Sequence, residues 1–260
     1  MNKEKFTPLS FSSLKSFKKS PREFLAYKKR TIKETPAMRM GNLVHLLDLE
    51  PHLFPKRNAI FKGQRRAGRE WESFVEKYGE KRTIIKTSEF EEANKISLAV
   101  RTHPVAQLLI KSCTKYEQEV SCKYEGIELK GFVDGYCKTH IIDLKTCMDA
   151  HPVKFSRVAY DALYNLQASI YKKALAKKIT KNADYFIIAV DKTDPYHVSV
   201  MRATDNFLNE GDNLLGTLIN EFKEWDGSEI GYEWRLDQEV FDLDTPAWSK
   251  KHNESILYSN

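Results

Sequence analysis

The sequence has few cysteines and no long apolar run. Only four of its 260 residues are cysteines, and none stands in a Cys-x-x-Cys pair. That number is too small for a disulfide scaffold at this length. No apolar stretch approaches the ~20 residues of a membrane span, and the first residues show no hydrophobic segment of the signal-peptide type. These absences argue against disulfide-rich secreted proteins and membrane proteins, and we expect a cytoplasmic protein.

Glycine and proline are also sparse. The chain has 11 glycines and 9 prolines, scattered along it, with no Gly/Ser linker, repeat or low-complexity tract. Its hydrophobic share of 41% is enough to build a full core. We therefore expect one domain over 1–260, with a helical portion at about 1–112, a sheet core at about 113–225 and an extension at 226–260.

The charge balance is modestly basic. The difference of 42 − 36 gives a net charge of +6, which permits a polyanionic partner without requiring one. The excess is concentrated in two segments, 15–30 and 62–69, whose candidate phosphate-binding residues are Lys15, Lys18, Lys19, Arg65, Arg66 and Arg69. Either segment is equally explained as an ordinary solvated face.

Hydrophobic periodicity predicts a mixed order of elements. Helices are expected over 10–30 with a break at Pro21, over 40–49, after the basic loop at 61–72, from an N-cap at Ser88 to Pro104, over 155–178, and from the Thr204 cap to 225. Strands are expected over 116–124, 127–137, 139–146, 183–190 and 196–203. This order predicts an α/β fold with a mixed central sheet flanked by helices.

One pair of adjacent strands carries the candidate chemistry. Asp143 and Lys145 are two residues apart on a strand, so both side chains leave the same face. An antiparallel neighbour could bring Asp134 beside them. These carboxylates and the Leu144 carbonyl are the hard oxygen ligands that Mg²⁺ or Mn²⁺ prefers. Such an ion activates water and shields a phosphate while Lys145 orients the water or stabilises developing charge, so the pattern indicates phosphodiester hydrolysis.

This pattern resembles the PD-(D/E)xK nuclease superfamily, and within it the RecE-like (exonuclease VIII) exonuclease domain, related to the RecB nuclease domain and lambda exonuclease. The resemblance runs from about Leu9 to Trp225 and rests on six segments in the family's order. These are LSFSSLKSFKKSPREFLAY, MGNLVHLLDLEP, QRRAGREWESF, Glu119 on the first strand, GFVDGY with IIDLKT, and Gln167-Ala-Ser-Ile-Tyr171. It implies a restriction-endonuclease-like core.

The resemblance also implies roles for particular residues. Asp134, Asp143 and the Leu144 carbonyl would bind the metal, and Lys145 would be the catalytic lysine. His45 would be a further metal ligand, although a satisfied core histidine is the alternative.

Three more residues enter the site through the resemblance alone. Glu119 would face the same pocket, and because Glu117 has the same strand parity, the choice between them rests on the family alignment. Gln167 and Tyr171 would hydrogen-bond the catalytic lysine or DNA phosphates. Without the resemblance, a half-buried core face is the favoured explanation of these two residues.

The function implied is a Mg²⁺- or Mn²⁺-dependent 5′→3′ exonuclease on double-stranded DNA ends, in a bacterial or phage-infected cell. It would supply single strands for recombination to an annealing protein and act as a ring-shaped trimer or tetramer. An endonuclease, an end-trimming nuclease and an inactive DNA-binding relative are the alternatives. No iron–sulfur cluster is expected, because the cluster-bearing relatives use a late cysteine trio and no cysteine follows Cys147.

Overall fold

The computed structural model describes residues 3–30 and 34–228. Its strands there are β1 (Leu9–Ser10), β2 (Asn58–Phe61), β3 (Thr83–Lys86), β4 (Lys115–Tyr124), β5 (Ile127–Tyr136), β6 (His140–Cys147), β7 (Asp184–Asp191) and β8 (Val198–Arg202). Its helices are α1 (Phe11–Lys19), α2 (Pro21–Lys29), α3 (Pro36–Leu49), α4 (Phe54–Arg57), α5 (Arg69–Tyr78), α6 (Thr87–Thr102), α7 (Pro104–Ser112), α8 (Pro152–Asp161), α9 (Tyr164–Ala174) and α10 (Asp205–Glu224). In this part of the chain no helix is both long and apolar enough to cross a bilayer.

The main sheet is mixed, as predicted. Its order is β1-β5-β6-β7-β8, with β4 paired to β5. The β4–β5, β5–β6 and β7–β8 pairs are antiparallel, whereas β1–β5 and β6–β7 are parallel. A separate parallel pair, β2–β3, forms a small second sheet.

Helices cover both faces of this sheet. Helices α1, α2, α8, α9 and α10 contribute to one core, and α3, α6 and α7 contribute to the other. Ile141 belongs to the first core and Ile142 to the second, and both are fully buried. Strand β6 is thus buried on both faces, which explains its nearly continuous apolar sequence. The expected fold class is confirmed.

A two-residue turn fixes the register of the β4–β5 hairpin. Glu125 and Gly126 both have positive φ, 46° and 88°, which is typical of a type I′ turn. Tyr124 therefore pairs with Ile127, and Gln118 pairs with Val133 farther along. In this register Glu117 stands opposite Asp134.

Strands β5 and β6 separate soon after they meet. Only Gly135 and Tyr136 of β5 pair with β6, and β1 pairs with Leu129 and Lys130. Because β4 follows the opposite edge of β5, the stretch 131–134 has no strand on this edge within the described residues. A fork opens there, and it holds the candidate site.

Several predicted helix boundaries were wrong. The helix expected over 40–49 begins at Pro36, where the Thr35 side chain caps it. The N-cap of α6 is Lys86 rather than Ser88, because the Glu89 carboxylate accepts the Lys86 backbone N–H at 2.7 Å and starts the helix earlier. The single helix expected over 155–178 is two helices. Leu163 adopts a left-handed φ of 62° between α8 and α9, which changes the direction of the chain.

Candidate active site

Asp143 and the half-buried Lys145 form an ion pair on one face of β6. Lys145 Nζ lies 2.7 Å from Asp143 Oδ1, and the Asp143 side chain is fully buried. Burial raises the pKa of Asp143 to about 6, although Lys145 opposes the shift. Burial lowers the pKa of Lys145, but Asp143 and Asp134 outweigh it and hold that pKa above its ordinary value. The lysine is therefore a fixed positive charge beside the fork.

Asp134 spans the fork. It is buried near the end of β5, and its Oδ2 accepts a 2.7 Å hydrogen bond from the Leu144 backbone N–H. The side chain thus occupies the place of a backbone pairing between the separated strands. This contact brings Asp134 next to the Asp143–Lys145 segment, as the sequence predicted.

His45 reaches the same place from α3 on the other face of the sheet. Its Nε2 lies 2.7 Å from the Leu144 carbonyl oxygen, and its Nδ1 lies 3.4 Å from Glu117 Oε1 and 3.7 Å from Asp134 Oδ2. Burial lowers its pKa, but Asp134 and Glu117 outweigh burial and raise it to about 9. An imidazolium is therefore favoured at neutral pH.

The donor set fits a hard divalent ion. Ligand atoms of His45, Glu117 and Asp134 all lie within 4.8 Å of one another. Oδ2 of Asp143 is buried and has no hydrogen-bond partner among the described residues. Carboxylate oxygens, a backbone carbonyl and an imidazole nitrogen suit Mg²⁺ or Mn²⁺. Ion binding through His45 requires its neutral form, so it would release a proton.

The structure places Glu117, not Glu119, at the fork. Glu119 is exposed and stands opposite Phe132, whereas Glu117 is half-buried within 3.4 Å of His45. The expectation that the Glu119 side chain faces the pocket was therefore wrong. Glu117 has a left-handed φ of 45°, which breaks the simple alternation of the strand.

Gln167 and Tyr171 lie together on α9 beneath the sheet. Gln167 Nε2 donates to the Tyr171 hydroxyl at 2.9 Å, and both side chains are buried. The Tyr171 ring packs so closely on β5 that a Cβ built at Gly131 would lie 2.6 Å from its Cε1. This close approach accounts for a glycine at the start of the Gly-x-x-Asp segment. Direct bonds from this pair to Lys145 or DNA phosphates remain a prediction.

Two aromatic residues near the ion pair were not assigned to the site from sequence. Lys145 Nζ lies 4.9 Å from the centroid of the Tyr164 ring, within cation–π range. The Tyr185 hydroxyl, on β7, is buried near Asp143 and has no hydrogen-bond partner among the described residues. Tyr164 lies one helical turn before Gln167 in α9. This spacing from the predicted Gln167–Tyr171 pair is the sequence signal that could have placed Tyr164 at the site.

The predicted DNA-binding residues divide between the two faces. Lys18 and Lys19 are exposed at the end of α1, and Lys15 is half-buried with its Nζ 5.9 Å from the Phe11 ring centroid. On the other face, Arg65 and Arg69 are exposed.

Arg66 differs from its neighbours in the same loop. Its guanidinium binds Glu89 at 2.6 Å, and Glu89 also binds Arg39. Arg66 is therefore partly neutralised, whereas no such pair is observed for Arg65 or Arg69 among the described residues.

Comparison with known families identifies the fold. The model of the "PDDEXK-like domain of unknown function (DUF3799)" family matches residues 10–229. The chain belongs to this family. The PD-(D/E)xK assignment is thereby confirmed, and the match covers every residue of the fork. No curated protein matches the sequence.

A solved structure shares the architecture of this PDDEXK-like chain at low identity. A protein named "Putative exonuclease" from Eubacterium rectale has a TM-score of 0.60 and 14% identity, covering 96% of this chain and 95% of its own. A phage-related exonuclease from Haemophilus somnus 129PT has a TM-score of 0.33 and 12% identity, covering 76% and 97%. The first likeness shows the fold.

Proposed function

We propose that this PDDEXK-like protein is a metal-dependent deoxyribonuclease that degrades linear double-stranded DNA from its ends. The observation that carries the proposal is the ion pair of the buried Asp143 with Lys145, lying beside the cluster of His45, Glu117 and Asp134. A divalent ion held by that cluster would acidify water and offset the charge of the phosphate. The ion we propose is Mg²⁺ or Mn²⁺.

The residues of the chain have distinct parts in this proposal. Asp134, Glu117, the Leu144 carbonyl and His45 supply ion ligands, and the free oxygen of Asp143 is the remaining one. Lys145 is a positive charge that Asp143 and the Tyr164 ring hold in place. It would orient the attacking water or stabilise charge on the phosphate oxygens. Gln167 and Tyr171 support the sheet behind these groups.

The direction of degradation and the assembly rest on the RecE-like resemblance. We propose 5′→3′ polarity, a ring-shaped trimer or tetramer, and delivery of single strands to an annealing protein. Salt-sensitive DNA binding through the exposed lysines of α1 and through Arg65 and Arg69 is proposed on charge and exposure. Light scattering on the purified protein would test the ring, and a monomer would contradict it.

The experiment is a nuclease assay on matched DNAs with Mg²⁺ or with EDTA. Linear duplex and covalently closed circles of the same sequence would be incubated with the wild-type protein and with Lys145→Ala. We expect loss of linear DNA only, no reaction in EDTA, and a loss of at least about 100-fold for Lys145→Ala, the size typical of one electrostatic catalytic group.

The controls test the assigned site and the exonuclease specificity separately. Lys177→Ala removes an exposed lysine outside the fork and should leave activity unchanged. End labels on each strand would give the polarity. Cutting of closed circles would exclude an exonuclease in favour of an endonuclease, and full activity in Lys145→Ala would refute the assigned site.

A further inference from the structure

An open cleft of about 690 Å³ lies outside the active site, on the small β2–β3 sheet. Its walls come from α4, from α5 and from the turn that leads into β3. The lining joins four basic residues, Lys56, Arg57, Lys81 and Arg82, to the aromatic side chain of Trp71. None of these residues belongs to the fork.

The charge of this basic cleft is strongly positive. All four basic residues are exposed. Glu80 is the one carboxylate among the described lining residues, so the lining carries four positive charges and one negative. Arg57 is paired with Glu50 at 2.9 Å, whereas Lys56 and Lys81 make no ion pair among the described residues. Two lysines are therefore available to an incoming anion.

The Trp71 side of the cleft is suited to stacking against a base. Helix α5 has no buried residue among those described, and its Trp71 is only half-buried. The indole contacts Phe61 edge-on, with the centroids 5.1 Å apart and the planes at 71°. That contact holds the indole in place while leaving part of it on the cleft. Positive charges beside a held aromatic ring are the combination that binds phosphates and unpaired bases of one strand.

The basic cleft is connected to the helix of the active site. Glu50, the partner of Arg57, is the C-cap of α3. His45 lies five residues before Glu50, which is about 7.5 Å along the axis at the rise of an α-helix. Any strand bound in the cleft thus lies at the end of the helix that supplies His45.

We propose that the basic cleft binds single-stranded nucleic acid, with Lys56 and Lys81 on the phosphates and Trp71 stacked on a base. A duplex keeps its base faces stacked on one another, so the indole favours an unpaired strand. Single strand is what an end-degrading nuclease leaves behind, and the binding itself does not depend on hydrolysis. The inference therefore goes beyond the proposed function and can be tested without it.

The test measures binding in EDTA, where a metal-dependent enzyme cannot cut. Fluorescence anisotropy would follow a labelled oligo-dT of about 20 nucleotides and a blunt duplex of equal length. For Lys56→Glu/Lys81→Glu we expect at least tenfold weaker binding of the single strand and a shallower salt dependence, by about 0.7 per lost phosphate contact. The duplex should be affected much less.

Trp71 has its own variants. Trp71→Ala should weaken single-strand binding about fivefold or more, because base stacking on an aromatic residue is worth ~1–3 kcal/mol. Trp71→Phe should restore most of it. The matched charge control is Lys177→Glu/Lys178→Glu, which changes two exposed lysines away from the cleft and should leave binding unchanged. Circular dichroism would show that each variant is folded.

The outcomes distinguish this proposal from the proposed function. Hydrolysis of bis(p-nitrophenyl) phosphate with Mg²⁺ needs only the fork, so the cleft variants should retain it. Loss of single-strand binding with that activity kept supports the cleft, whether or not long DNA is degraded. Unchanged binding in the double lysine variant overturns it. An equal loss for duplex and single strand also overturns it, because the cleft would then be a general cationic surface.

Discussion

The Asp134 carboxylate accepts a 2.7 Å hydrogen bond from the Leu144 backbone N–H, across the gap where β5 and β6 separate. A side chain therefore holds together two strands that share only two residue pairs. Asp134→Ala leaves a buried N–H without an acceptor, and we expect a loss of about 1–3 kcal/mol in the free energy of unfolding. Asp134→Asn keeps an acceptor oxygen and should lose less. Urea unfolding in EDTA measures both, and equal losses would contradict the bridging role.

His45 makes the stability of the metal-free protein depend on pH. Its folded pKa is raised from the ordinary 6.5 to about 9. The stabilisation is therefore fully present below pH 6.5 and is lost as the pH rises through 9. We expect the melting temperature in EDTA to fall over this range and His45→Gln to fall less steeply. The matched control is His52→Gln, an exposed histidine, which should retain the wild-type slope.

Asp48, one turn after His45, is predicted to cost stability. Its side chain is fully buried, its Oδ1 accepts from Ser97 Oγ and lies 3.7 Å from Arg101 Nε, and its Oδ2 has no hydrogen-bond partner among the described residues. Burial raises its pKa to about 7, so the folded state binds the proton more tightly and stability falls as the pH rises from 3.8 to 7.

Asp48→Asn removes this charge. We expect the variant to be more stable than the wild type at pH 8, by about 1–3 kcal/mol, and nearly equal at about pH 3.5, where the carboxyl is mostly protonated in both the folded and the unfolded chain. Thermal or urea unfolding at the two pH values measures the difference. If Asp48→Asn is destabilised equally at both pH values, ionisation of the buried Asp48 does not cost stability, and the prediction is wrong.

Gly131 is predicted to be required by the Tyr171 ring. The Cβ of an alanine there would lie 2.6 Å from Tyr171 Cε1, closer than any real contact, so the ring must move. We expect Gly131→Ala to cost about 1–3 kcal/mol. The double variant Gly131→Ala/Tyr171→Leu should recover part of that cost, because it removes the clashing ring. Strict additivity of the two single effects would argue against the clash.

Much of the fold was readable from local sequence. Pro21 separates α1 from α2, Thr204 caps α10, and the apolar run of β6 marks a strand buried on both faces. The choice of Glu117 was also within reach. A two-residue turn at Glu125–Gly126 forces the register that sets Glu117, not Glu119, opposite Asp134.

The sequence by itself determined the order of strands β4 to β8 and the Asp143–Lys145 pair, because both follow from spacing along single elements. The tertiary structure alone decided the rest. His45 meets Leu144 from 99 residues away, and Arg66 is neutralised by Glu89 from another element. The fork exists because β1 and β6 share one edge of β5. Such contacts depend on how separate elements pack against one another. The periodicity of residues within a single element does not contain that information.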